Sequence, residues 1–99
     1  MIDEQALHRD TDRAARAQAL LRNELLTEAF ASLDAEYIRA WRATHINDTN
    51  ARERLHQAVQ IVGKVKDHLA RVIADGRLAQ RQLDDLAARP KRFGRFGVM

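Results

Sequence analysis

With 99 residues the chain is one domain at most, and a lone pair of long helices of that size would bury little surface. It has no cysteine, which excludes disulfides and thiolate metal sites and fits a cytoplasmic setting; no apolar run approaches the roughly 18 residues of a membrane span. The net charge of +3 is uneven. Residues 1–43 carry six basic and eight acidic side chains, residues 44–88 seven and six, and residues 89–99 four basic and none acidic. The body is near neutral, so a whole-surface electrostatic case for nucleic-acid binding fails and a tail-based one stands.

The start, Met1-Ile2-Asp3-Glu4, is acidic with no apolar core behind it, unlike a signal peptide. The first helical segment runs from about Asp3 to Ala43. Leu26, Phe30, Leu33, Tyr37 and Ala40 follow each other at spacings of 4 and 3, with Leu25, Ala29 and Trp41 widening the stripe. Upstream of Ala19 the pattern weakens, although Asp12 and Arg16 form a favourable i,i+4 pair. That part is expected to be helical only when packed on a neighbour. Ser32 and Asp34 are cap-competent, so a break near residue 31 is open.

Thr44-His45-Ile46-Asn47-Asp48 is the convincing interior turn. Asp48, Thr49 and Asn50 are all competent N-caps, and Asn50 with Glu53 resembles a capping box. So short a turn predicts antiparallel neighbours.

The second helix is predicted from about Thr49 to Ala88, some 60 Å at about 1.5 Å per residue. Its seam comprises Leu55, Ala58, Val62, Val65, Leu69, Val72, Gly76, Ala79, Leu83 and Leu86, at unbroken spacings of 3 and 4. This is the a/d rhythm of a helix that lies against other helices, and copies of the same chain are the first candidates. Lys66 sits beside the seam, where it snorkels or, in a cyclic oligomer, lines a pore. Trp41 either packs on Leu55 or Val59 or offers a stacking surface. Pro90 predicts the helix stop. Beyond it the basic tail holds Arg89, Lys91, Arg92, Phe93, Arg95 and Phe96 on a glycine-containing backbone. Cations interleaved with aromatics suit base stacking and phosphate contact, a docking peptide, or a plain solubilising end.

Catalysis has little to stand on. Ser32 is the only serine, the adjacent Asp84 and Asp85 point to different faces of a helix, and no glycine-rich phosphate loop exists. His8, His45, His56 and His68 lack metal-ligand spacing. The expectation is a non-enzyme without cofactor, metal or small-molecule substrate.

Four segments carry a resemblance: Glu24-Leu25-Leu26-Thr27-Glu28-Ala29-Phe30, Ala40-Trp41-Arg42-Ala43-Thr44, Asp48-Thr49-Asn50-Ala51-Arg52-Glu53-Arg54-Leu55 and Asp75-Gly76-Arg77-Leu78-Ala79. Over about two thirds of its length the chain resembles small helical proteins of tailed phages and prophages. In plan it is similar to short small terminase subunits of phages and gene transfer agents. The resemblance implies rings built on a helical hairpin, a C-terminal segment that engages the large terminase subunit, and a bacterial host cell. It departs from the family at residues 1–24, too short and featureless for a DNA-reading helix-turn-helix. DNA contact would then fall to ring surface or tails, driven by phosphates with little sequence discrimination.

The expected fold class is all-α: an antiparallel hairpin of two long helices in residues 1–88, oligomerising through the seam, with a disordered basic tail at 89–99. The expected function is a non-catalytic DNA-packaging component that contacts the large terminase subunit, non-specific DNA, or both, through that tail. A nucleic-acid-binding phage regulator and an adaptor or scaffold for a host or capsid protein are the alternatives.

Overall fold

The computed structural model describes the backbone of residues 3–98 and the side chains of residues 3–88. The fold is all-α. Among the described residues there are three helices: α1 (Glu4–Arg22), α2 (Glu24–Ala43) and α3 (Thr49–Val98).

The expected first segment is therefore two helices, divided at Asn23 and not near residue 31. Asn23 leaves helical geometry, with φ −69° and ψ 118°, and its side chain accepts the Leu26 backbone N–H at 3.0 Å. The Thr27 hydroxyl donates to the Asn23 carbonyl at 3.0 Å, reinforcing the new start. Such a cap is worth about 1 kcal/mol against alanine. Ser32 and Asp34 stay inside α2. At the start of α1 the Asp3 carboxylate accepts the backbone N–H groups of Gln5 and Ala6. The Asp12–Arg16 pair is made at 2.7 Å but both ends are exposed, so it adds only tenths of a kcal/mol.

The turn between α2 and α3 falls where side chains can satisfy the orphan backbone groups. Thr44 caps the end of α2, donating both its N–H and its hydroxyl to the Trp41 carbonyl. Asp48 caps α3, accepting from the Ala51 N–H at 3.2 Å. Asn50 lies within α3, so the expected Asn50–Glu53 box is not the device used.

The bounds of α3 pass Pro90, where the sequence predicts a stop. The end of α3, Val98, lies beyond the expected end near Ala88. The side chains of Arg89, Lys91, Arg92, Phe93, Arg95 and Phe96 lie outside the described residues.

The chain divides into two compact units, Met1–Gln18 with Ala70–Met99, and Ala19–Leu69. In the first unit, α1 approaches α3 at Gly76. A Cβ built there would overlap the Ala14 Cβ and meet the Asp10 carbonyl oxygen at 3.0 Å. Leu7, Ala14, Ala17 and Ala79 are buried in this unit. Small residues on both helices let the backbones come close, which is why a segment of weak apolar patterning packs at all. In the second unit α2 runs against the first part of α3, so that Trp41 meets Arg52 and Asp34 meets Lys66. Val62 is the buried hydrophobic residue here, and α2 buries none of its own.

The two glycines of α3 separate packing from helix propensity. Gly76→Ala should destabilise by about 1–3 kcal/mol through overpacking against Ala14. Gly63 has nothing within 4 Å of its built Cβ, so Gly63→Ala should instead stabilise by about 0.5–1 kcal/mol. Urea unfolding of both variants checks the opposite signs; equal effects would contradict the close approach at Gly76.

Candidate functional site

The seam faces the chain's own helices more than solvent. Val62, Gly76 and Ala79 are buried, and Leu55, Ala58, Leu69, Val72, Leu83 and Leu86 are half-buried. Only Val65 is exposed. Within the chain, α1 lies along the later half of the seam and α2 along its earlier half. The sequence hides the α1 cover because two of its packing residues, Ala14 and Ala17, are alanines amid charges.

What remains open is on the flanks of the Ala19–Leu69 unit. On one flank, α2 presents Thr27, Ala31, Asp34, Ile38 and Trp41, and α3 presents Arg52, His56, Val59, Gly63 and Lys66. Both sets alternate spacings of 4 and 3, the rhythm of a helix face. The two rows line a groove. Near the turn it deepens into a cleft of ≈ 200 Å³ walled by Tyr37, Ile38, Trp41, Leu55, His56 and Val59. Further along, Leu21, Thr27, Phe30, Ala31, Asp34 and Lys66 wall a second hollow. Ile38, Trp41 and Val59 keep 50%, 45% and 40% of their surface exposed.

Two cations trim this groove. The Arg52 guanidinium lies over the Trp41 ring at 4.5 Å and donates to the Thr44 hydroxyl at 3.1 Å. Lys66 Nζ lies 3.2 Å from Asp34 Oδ2 and 5.3 Å from the centre of the Phe30 ring. Lys66 is therefore placed by a carboxylate and a ring while its charged end stays partly in solvent. The pair is about two-fifths exposed at both ends, so it orients more than it stabilises.

The opposite flank is apolar too. At 100° per residue, Ile61 and Val65 stand about 160° and 120° round α3 from Val59, and Leu25 stands about 160° round α2 from Trp41. Ile61, Val65 and Leu25 are 60%, 46% and 75% exposed. In the sequence Val65 belongs to the seam itself, Ile61 borders it, and Leu25 widens the stripe of α2.

The contacts formed here are apolar packing, cation–π stacking, one ion pair and one side-chain hydrogen bond. Among the described residues no group of three or more His, Asp or Glu side chains is placed to hold a metal ion. Among them also, no helix is long and apolar enough to cross a membrane. Asp84 accepts a hydrogen bond from Gln80, an ordinary surface contact.

No protein-family model, curated protein or solved structure matches this chain.

The Arg52 contact is testable through the chain's single tryptophan. Arg52→Ala should cost about 0.5–1 kcal/mol and make Trp41 emission more easily quenched by iodide, with Arg52→Lys intermediate. Unchanged quenching in Arg52→Ala would remove the stacking contact.

Proposed function

We propose that this chain is a non-catalytic, self-associating helical protein that serves in phage DNA packaging, in the manner of a small terminase subunit. Copies assemble through the apolar surface of the antiparallel α2–α3 pairing. The assembly gathers the basic tails, and the tails contact the packaging motor, DNA, or both.

One observation carries the self-association. Among the described residues Leu25, Ile38, Trp41, Ile61 and Val65 are 75%, 50%, 45%, 60% and 46% exposed, aliphatic and aromatic surface on α2 and α3. Exposed apolar area of that kind marks an interaction surface. Burying it at about 25 cal/mol per Å² supplies what the small interior does not.

The packaging role draws on the tail's composition and the resemblance in plan. Arg89, Lys91, Arg92 and Arg95 give residues 89–99 a charge of +4, and Phe93 and Phe96 stand between and beside them. One such tail binds weakly. Several on one assembly raise the local concentration and convert weak contacts into useful avidity. The mode predicts a steep loss of DNA affinity with salt and little sequence preference.

Native mass spectrometry of the full chain, with and without a large terminase subunit and duplex DNA, tests the proposal. A closed oligomer that captures the motor or the DNA is the expected result. Removing residues 89–99 should leave the oligomer intact and abolish capture. Loss of the oligomer on that deletion would contradict the division of labour, and an oligomer indifferent to both ligands would replace packaging with an adaptor role.

A further inference from the structure

We draw no further inference here: the strongest candidate, the apolar groove between α2 and α3 with its cleft beside Trp41, is an unpartnered face, and nothing in the structure shows what covers it.

Discussion

Covering the apolar face of α3 is the constraint on which the rest of the structure depends. A fifty-residue helix cannot bury its own side chains, and hydrophobic burial is non-directional, so any helix with a matching stripe will serve. The chain meets the requirement in two ways. In the Met1–Gln18 and Ala70–Met99 unit, alanines and Gly76 allow α1 to approach closely. In the Ala19–Leu69 unit, larger residues of α2 pack on Val62 and its neighbours and leave much of themselves exposed. The first solution works through close approach of small side chains; the second leaves larger side chains exposed.

That asymmetry links packing to function. A helix such as α2, with a clear apolar stripe and no buried residue, makes sense where a further helix layer arrives from outside. Trp41, Ile38 and Val59 line the groove that such a layer would enter, and Arg52 and Lys66 hold its polar edges in place.

The sequence made some of this legible and concealed the rest for physical reasons. The α3 seam was plain because its spacings never break, and the turn at 44–48 was plain because five residues in succession lack apolar periodicity. The break at Asn23 was not. A single capping asparagine between two helix-forming stretches is a weak signal, and Ser32 with Asp34 looked equally competent. The cover supplied by α1 was hidden because Ala14 and Ala17 carry little hydropathy, and close packing on Gly76 depends on the absence of a side chain. The groove was missed because its rows mix polar, small and apolar residues; their 4-and-3 spacing becomes meaningful only once α2 is seen alongside α3. For the site, Val62, Gly76 and Ala79 of the seam are buried and Val65 is exposed, and much of the surface that stays open lies on either side of the seam.

On the proposed self-association, the folded chain depends on copies of itself. The most direct measurement is its thermal midpoint across about a hundredfold range of protein concentration, since binding of a partner subunit stabilises the native state by mass action. Under self-association the midpoint rises steadily with concentration. A midpoint that stays constant across that range would contradict it.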